Sequence, residues 1–270
     1  PRSTLFPYTT LFRSSRIINL LEAGVPAKKI LAITFTNKAA SEMKFRVERG
    51  CQAKNIDTKW LTISTFHSLG ARLLRVEAKL LGRNSQFTIF DDGDSLSVIR
   101  KIIKELHLDK EIYKPRLIRR YISKIKSELV SSNDDEMMTR AYEIYEKTLK
   151  KCNAFDFDDL IEKLVILLRD DPKILSKYQN RYQYLLVDEF QDTNVAQYLL
   201  IKLLAQKHKN LSVVGDDAQS IYGWRHADFR NFLNFEKDWP NAKVVLLEEN
   251  YRSSANIINA ANEVIKHNKF

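Results

Sequence analysis

A short apolar run that ends in two adjacent acids constrains the fold of this chain more than any other feature of its sequence. The run, Tyr184 to Val187, is Tyr-Leu-Leu-Val, and Asp188 and Glu189 follow it directly. A short apolar run that ends in charge is typical of a strand that is buried on both faces, as the strands of a parallel sheet are. The run therefore predicts an α/β fold that is built on a parallel sheet.

The two acids stand where ligands bind in open α/β sheets, just outside the carboxyl end of a strand. Two carboxylates at that edge are costly unless a cation or a reacting proton accompanies them. One interpretation is that Asp188 holds Mg²⁺ beside a nucleotide while Glu189 orients or deprotonates an attacking water. The other is a solvated acidic loop after a strand, and the two acids alone do not decide between these interpretations.

Composition narrows the class of protein and of partner. With 270 residues, 44% of them hydrophobic, the chain has enough apolar side chains for one large domain or two smaller ones. Its formal net charge of +10 favours a polyanionic partner, although a basic protein without such a partner is the alternative. Cys51 and Cys152 form no disulfide framework and lack metal-site spacing, which suits a reducing compartment and predicts a cytoplasmic location. No apolar run is long enough to cross a membrane, and we find no secretion signal.

The first 14 residues differ in character from the rest of the chain and have neither helical nor strand periodicity. Residues 4–14 resemble a conceptual translation of a common short-read sequencing adapter. We therefore interpret residues 1–14 as an artefactual segment that is not part of the natural fold. A genuine but disordered N-terminus is the alternative. In the first case the true N-terminus has been lost and the chain is a fragment.

A strand, a polar cap and a helix follow one another twice early in the chain, which indicates βα units and again a parallel sheet. These two strands are predicted at 30–35 and 60–64. Helical periodicity dominates residues 83–180, so we predict an all-helical insertion there between two parts of one α/β domain, 15–82 and 181–270. Further strands are predicted at 87–90, 183–187, 211–214 and 244–247.

Polar side chains follow the first two predicted strands. Thr36 and Asn37 come after one strand, and Thr65 and His67 come after the other. Hydroxyl and amide groups at a helix N-terminus offer hydrogen bonds to a phosphate, and an aromatic ring such as Phe35 at a strand edge can stack on a base. The alternatives are ordinary helix caps, a core phenylalanine and a packed structural histidine.

Two more clusters follow later strands. Gln219 lies in a turn, and its amide, which both donates and accepts, suits the sensing of a phosphate and its attacking water. Tyr222 and Trp224 in the same turn suit base stacking, or alternatively burial in a domain interface. Arg252, beside Tyr251, has the reach to stabilise charge on a transferred phosphate, with a surface salt bridge as the alternative.

The predicted insertion also carries a strip of basic side chains, which is either a solvated face or a surface that contacts phosphates. Its members are Arg100, Lys101, Lys104, Lys110, Lys114, Arg116, Arg119, Arg120, Lys124 and Lys126.

Six motifs, taken in order along the chain, resemble those of the superfamily 1 DNA helicases of the UvrD, PcrA and Rep group. They are Thr-Phe-Thr-Asn-Lys-Ala-Ala, Ser-Thr-Phe-His, Asp-Phe-Asp-Asp-Leu, Val-Asp-Glu-Phe-Gln-Asp-Thr, Val-Gly-Asp-Asp-Ala-Gln-Ser-Ile-Tyr-Gly-Trp-Arg and Glu-Asn-Tyr-Arg-Ser. The resemblance extends from about residue 15 to the end of the chain. It implies part of the first RecA-like lobe of a P-loop NTPase, called 1A, with a helical, DNA-contacting insertion called 1B.

The resemblance also implies roles for single residues. Asp188 matches the Mg²⁺ ligand, Glu189 the catalytic base, and Gln219 the residue that couples the γ-phosphate to DNA. Tyr251 matches the tyrosine that packs on the adenine, and Arg252 matches an arginine finger. The positions that match the single-stranded DNA track are Phe35, Thr36, Asn37, Thr65, Phe66, His67, Tyr222 and Trp224. The implied cofactors are ATP and Mg²⁺, and the implied partners are single-stranded DNA and its junctions with duplex DNA.

The sequence departs from the pattern of this group in one important respect. No Gly-x-x-x-x-Gly-Lys-Thr/Ser phosphate loop occurs in it, and the segment 1–14 stands where that loop is expected. The chain also stops soon after Arg252, before the second RecA-like lobe of the group. Without the loop and its lysine, the phosphates lose their cradle and a cation, so we expect no significant ATPase activity from the chain as written.

The resemblance therefore predicts a fragment of an ATP-dependent DNA helicase that moves on single-stranded DNA and unwinds duplex in the 3′ to 5′ direction. Three alternatives remain open from the sequence. The chain is the helicase part of a recombination nuclease of the RecB or AddA type, a non-catalytic platform that binds single-stranded DNA, or a basic α/β domain with no nucleic-acid role.

Overall fold

The computed structural model describes residues 8–130, 135–220, 223, 227–228, 230–247, 249–250 and 253–267, without the side chains of residues 8–11 and 217. The strands in it are β1 (Ile30–Thr34), β2 (Thr62–Thr65), β3 (Thr88–Phe90), β4 (Ala154–Asp156), β5 (Tyr184–Val187) and β6 (Leu211–Val213). The helices are α1 (Tyr8–Glu22), α2 (Asn37–Gln52), α3 (Phe66–Glu77), α4 (Asp92–Glu105), α5 (Pro115–Glu128), α6 (Glu136–Lys151), α7 (Asp159–Asp170), α8 (Pro172–Arg181), α9 (Val195–Ala205), α10 (Arg230–Leu233), α11 (Phe235–Asp238) and α12 (Ala255–Ile265).

The main sheet has four parallel strands in the order β2-β1-β5-β6. In its register, Ile33 of β1 lies opposite Val187 of β5, and Val187 lies opposite Val213 of β6. All five residues of β1 are buried, as are the last three of β5, because helices cover both faces of the sheet. The prediction of an α/β fold on a parallel sheet is confirmed.

The two faces of the sheet pack against different helices because side chains alternate along each strand. Leu31 and Ile33 point into a core formed with α3, α7 and α9. Ile30 and Ala32 point to the other face, where they pack against α1 and α2. The helices therefore fix the sheet from both sides and leave its carboxyl edge for a site.

Hydroxyl side chains begin the helices that follow β1 and β2. The Thr36 hydroxyl accepts a hydrogen bond from the Ala39 N–H at 3.1 Å, and the Thr65 hydroxyl accepts one from the Ser68 N–H at 3.2 Å. Each bond satisfies a backbone donor that the first turn of a helix leaves without a partner. The predicted cap at Thr36 is thus present, with α2 starting at Asn37.

The insertion differs in two ways from the predicted all-helical block 83–180. The strand predicted at 87–90 is present as β3, but it pairs with an unpredicted strand, β4, so that Thr88 lies opposite Ala154 in a two-stranded parallel ladder. Helix α7 also lies in the core of the main sheet, because Leu160 and Leu164 pack with Leu31. The insertion has a hydrophobic core of its own, which is formed mainly by α4, α5 and α6.

Both ends of the chain also depart from expectation. Helix α1 begins at Tyr8, so residues 8–14, for which no helical periodicity was expected, are helical. Ile17 and Leu21, one and two turns beyond Arg13, are buried against the sheet. Residues 244–247, predicted as a strand, are in no strand of the structure and expose their apolar side chains. In the part of the chain that is described, no helix combines the length and the apolarity that a membrane span requires.

A buried lysine joins the insertion to the main domain. Lys126 of α5 is fully buried, and its ammonium donates to Asp159 Oδ1 at 2.7 Å and to Asp156 Oδ2 at 3.0 Å. Glu146 Oε1 lies 2.7 Å from the same nitrogen. Burial alone lowers the pKa of Lys126, but the surrounding carboxylates outweigh it and raise the pKa well above its ordinary value.

The predicted basic strip is corrected at two positions, because Lys126 is buried in this cluster and Arg119 forms an ion pair with Asp158 at 2.8 Å. The remaining members of the strip are exposed, namely Arg100, Lys101, Lys104, Lys110, Lys114, Arg116, Arg120 and Lys124.

We predict that Lys126→Met lowers the free energy of unfolding by about 3–5 kcal/mol, because removing one partner of a buried ion pair leaves the other charge uncompensated. Urea denaturation at neutral pH measures the loss. Lys124→Met, on the exposed face of the same helix, is the matched control and should change stability by less than about 0.5 kcal/mol. Equal effects of the two substitutions would contradict the assigned role of Lys126.

Candidate functional site

The carboxyl ends of β1, β2, β5 and β6 lie side by side, and the predicted site residues follow them directly. The Asp188 N–H donates to the Ile33 carbonyl at 2.9 Å, which ties the end of β5 to β1. The Phe190 N–H donates to the Val214 carbonyl at 3.0 Å, which ties the same turn to β6. Asp188 and Glu189 are thereby held between the two neighbouring strands.

The two acids differ in exposure and conformation. The Asp188 side chain is 4% exposed, and its Oδ1 accepts from the Glu189 N–H at 2.8 Å. The Glu189 side chain is 43% exposed, so its carboxylate faces the open side of the edge. Glu189 has a φ of +50°, a left-handed conformation that is uncommon outside glycine and that concentrates at functional sites.

An arginine that the sequence analysis gave no role neutralises Asp188. The Arg13 guanidinium of α1 forms a close ion pair with Asp188 Oδ2 and lies 3.9 Å from Glu189 Oε1. Burial lowers the pKa of Arg13 to about 10, and the nearby Glu189 carboxylate acts in the opposite direction. Arg13 therefore remains a cation at neutral pH.

This ion pair decides whether the residues present fit the expected Mg²⁺. One oxygen of Asp188 faces the guanidinium and the other accepts a backbone hydrogen bond. The side chains as they lie do not fit a divalent cation at Asp188, because the position beside the carboxylate already holds a positive charge.

A buried glutamine, also missed by the sequence analysis, joins Glu189 to the turn that carries Gln219. Gln191 is 1% exposed, and its Nε2 donates to Glu189 Oε2 at 3.1 Å. Its Oε1 accepts from the Asp216 N–H at 3.1 Å, and Asp216 Oδ2 accepts from Gln219 Nε2 at 2.6 Å. A continuous chain of hydrogen bonds thus runs from the candidate base to the candidate phosphate sensor.

Gly215 makes this arrangement sterically feasible. A Cβ at this position would lie 2.6 Å from Gln191 Oε1, a distance that real side chains do not adopt. A side chain at this position would displace the Gln191 amide from its hydrogen bonds, which favours glycine in the Val-Gly-Asp-Asp motif.

The two polar clusters expected on the DNA track lie together. The Ser68 hydroxyl donates to Asn37 Oδ1 at 3.5 Å and accepts from the Thr65 hydroxyl at 2.9 Å. The His67 ring stacks on the ring of Phe157, with the ring centroids 3.8 Å apart and 19° between the planes. Phe157 is 51% exposed, and it belongs to the Asp-Phe-Asp-Asp-Leu motif, which had been noted without a role for this residue.

One predicted DNA-track residue is corrected. Phe66 is 2% exposed and packs in the main core with Leu31 and Leu164, because as the first residue of α3 its side chain points back onto the sheet. Tyr222, Trp224, Tyr251 and Arg252 lie outside the described residues, so their placement stays a prediction. Of the groove expected from the sequence, Asp188, Glu189 and Gln219 are brought together at one edge.

Asp192 adds a second buried acid behind Glu189. Its Oδ2 lies 3.4 Å from Gln191 Nε2, and its Oδ1 is buried without a hydrogen bond. Burial and, secondarily, the Glu189 carboxylate raise the pKa of Asp192 to about 6. Above that pH, Asp192 is ionised in the folded protein, and its buried charge lowers the free energy of unfolding.

We predict that Asp192→Asn is more stable than the parent chain at pH 8 and not at pH 4. A raised folded-state pKa contributes stability below the unfolded pKa of about 4, and that contribution is lost as the pH rises through about 6. Urea unfolding at the two pH values measures the difference.

Asp228→Asn is the control, because the pKa of Asp228 is shifted in the opposite direction to that of Asp192. A hydrogen bond from Arg230 lowers the pKa of Asp228, so its contribution is present at neutral pH and disappears as the pH falls through that lowered pKa. The pKa assignment would be wrong if Asp192→Asn and Asp228→Asn followed the same pH trend.

Comparison with known proteins gives consistent matches. Residues 10–240 match the family described as the UvrD/REP helicase N-terminal domain. A protein named ATP-dependent DNA helicase PcrA from Staphylococcus epidermidis is 50% identical over 265 residues, which cover 94% of this chain and 36% of that protein. The protein of the same name from Staphylococcus aureus is 49% identical over 265 residues with the same coverage. The chain thus spans only 36% of the length of the curated relatives that it matches.

Proposed function

The chain belongs to the UvrD/REP helicase N-terminal domain family, and on that premise we propose that it is part of an ATP-dependent motor that moves on single-stranded DNA and unwinds duplex in the 3′ to 5′ direction. One observation carries the proposal. The carboxyl edge of the sheet holds Asp188, Glu189 and Gln219 in one hydrogen-bonded group, next to an exposed aromatic and amide surface at Phe157 and Asn37. A nucleotide site and a track for bases would share this edge.

In the proposed hydrolysis, Glu189 is the general base. Its carboxylate is the more exposed of the two acids, and the Gln191 amide holds one of its oxygens in a fixed orientation. A base must lie within hydrogen-bond reach of the water whose proton it takes, so a fixed carboxylate favours this role. Gln219, joined to the same group, would contact the phosphate of ATP from the other side of the edge.

For DNA, the proposed track runs over the N-termini of α2 and α3. Thr36, Asn37 and Thr65 offer polar groups there, and Phe157 offers one open ring face, because His67 covers the other. Base stacking on such a ring is tolerant of sequence, which suits a protein that moves along a strand. Phe35 and the exposed basic side chains of α4 and α5 would add contacts to the same strand or to the duplex ahead of it.

A second candidate, a non-catalytic platform for single-stranded DNA, is favoured by two observations on the chain as written. Arg13 occupies the carboxylate at which the family implies Mg²⁺, and the chain has no phosphate-loop sequence. Reading the uninterrupted gene upstream of residue 15 separates the two candidates, since a phosphate loop there would favour the motor. A nuclease domain encoded downstream would instead favour the helicase part of a RecB or AddA type nuclease.

We predict that the chain as written releases no phosphate from ATP above the level of its own Glu189→Gln variant, with or without single-stranded DNA. The physical reason is that its sequence supplies neither the loop backbone nor the lysine that binds the phosphates. In a protein with the loop and second lobe restored, Glu189→Gln should lower turnover by roughly 10²–10⁴-fold. Turnover by the present chain that disappears on Glu189→Gln would contradict the prediction.

We predict that Phe157→Ala weakens binding of a fluorescent oligothymidylate by about 5- to 150-fold, because base stacking on an aromatic ring is worth ~1–3 kcal/mol per base. Fluorescence anisotropy at several salt concentrations measures both the affinity and its salt slope. Phe45→Ala, at an exposed phenylalanine on α2, is the matched control and should leave the affinity unchanged. Salt-insensitive binding, or equal loss in both variants, would count against a DNA track at this edge.

A further inference from the structure

We infer that, in the chain as written, Arg13 takes the place of a divalent cation as the counter-charge of Asp188, so that this carboxylate binds no Mg²⁺ until Arg13 is removed. The inference goes beyond the proposed function and depends on it only in taking Asp188 as the cation-binding carboxylate of the family. It requires neither hydrolysis nor DNA binding.

The position of Arg13 follows from the periodicity of α1. Ile17 and Leu21 are spaced four residues apart and are buried in the core with Ile30 and Leu186. Residues spaced by four lie on one face of a helix, so Arg13 lies on the same buried stripe, one turn nearer the N-terminus. Because α1 is anchored against the sheet by this stripe, the guanidinium reaches the end of β5 and not the solvent.

Burial strengthens the ion pair between Arg13 and Asp188. The side chains of Arg13 and Asp188 are 8% and 4% exposed, and Phe12, Met43 and Val214 are among the mostly apolar residues that line the cavity beside them. Water screens charges poorly in such surroundings, so a second cation next to Asp188 would be strongly repelled.

The chemistry of Mg²⁺ points the same way. Mg²⁺ demands an octahedral shell at about 2.1 Å and usually keeps several of its waters. The guanidinium already occupies the Oδ2 side of Asp188, and the apolar lining offers few partners for those waters. Removing the guanidinium would leave a buried carboxylate without a counter-charge, a situation that favours uptake of a cation.

The test is Mn²⁺ binding by the full 270-residue chain, measured by electron paramagnetic resonance without nucleotide or DNA. We expect Arg13→Gln to bind one Mn²⁺ at least about tenfold more tightly than the parent chain, and the double variant with Asp188→Asn to lose that gain. Arg16→Gln is the matched control, because Arg16 lies on the same helix and its Nε donates to the Ser212 hydroxyl at 2.8 Å. It should bind Mn²⁺ as the parent does.

A second measurement does not depend on the folding of Arg13→Gln. In the parent chain, Asp188→Asn should change Mn²⁺ affinity by less than about twofold, because Arg13 already excludes the ion. Mn²⁺ held instead by the carboxylates of Glu146, Asp159 and Glu162, which lie close together, would also be insensitive to Asp188→Asn. Tight Mn²⁺ binding by the parent chain that Asp188→Asn removes would overturn the inference, as would equal affinities of parent and folded Arg13→Gln.

Discussion

The backbone hydrogen bonds that tie the turn after β5 to its two neighbouring strands are the interaction on which the site depends. On one side the Asp188 N–H donates to the Ile33 carbonyl, and on the other the Phe190 N–H donates to the Val214 carbonyl. Glu189 lies between these anchors in a left-handed conformation, which turns the chain away from the sheet and directs the carboxylate outward. Both anchors are backbone hydrogen bonds, so they hold the turn without using the side chains of the two acids.

Two groups of buried carboxylates in this protein are neutralised by internal cations, in different ways. Lys126 contacts Asp156 and Asp159 deep between the insertion and α7, and their charges raise its pKa well above the ordinary value. Arg13 pairs with the single buried carboxylate of Asp188 at the sheet edge, and burial lowers its pKa. The lysine cluster joins several elements, because the Lys126 ammonium of α5 contacts Glu146 of α6, Asp156 of β4 and Asp159 of α7. The arginine pair is a single buried ion pair at the sheet edge, and its guanidinium repels an added cation from Asp188.

The parts of this structure that follow from short stretches could be predicted from the sequence, and the parts that follow from contacts between distant segments could not. Thr36 and Thr65 cap the helices after β1 and β2 as their neighbours alone suggest, since a cap needs only the next three residues. Phe66 was assigned to the DNA track, but it is buried in the core. At the start of α3, neighbouring residues point to different sides of the helix, and the sequence alone does not show which of them faces the core. Phe157 and Arg13 gave no local signal, because their roles arise from stacking and ion pairing with residues far along the chain.

Gln191 illustrates why a motor would place an amide, and not a charge, at the centre of such a site. Its amide oxygen accepts from the Asp216 N–H, while its amide nitrogen donates to Glu189, so a shift of either group changes the hydrogen bonds available to the other. In a fully buried position these bonds are strong and costly to leave unmade, which makes the amide respond to small displacements. A lysine or a glutamate there would pair with one neighbour and repel or ignore the other. The amide alone satisfies both, and it thereby makes the orientation of the candidate base depend on the turn that carries Gln219.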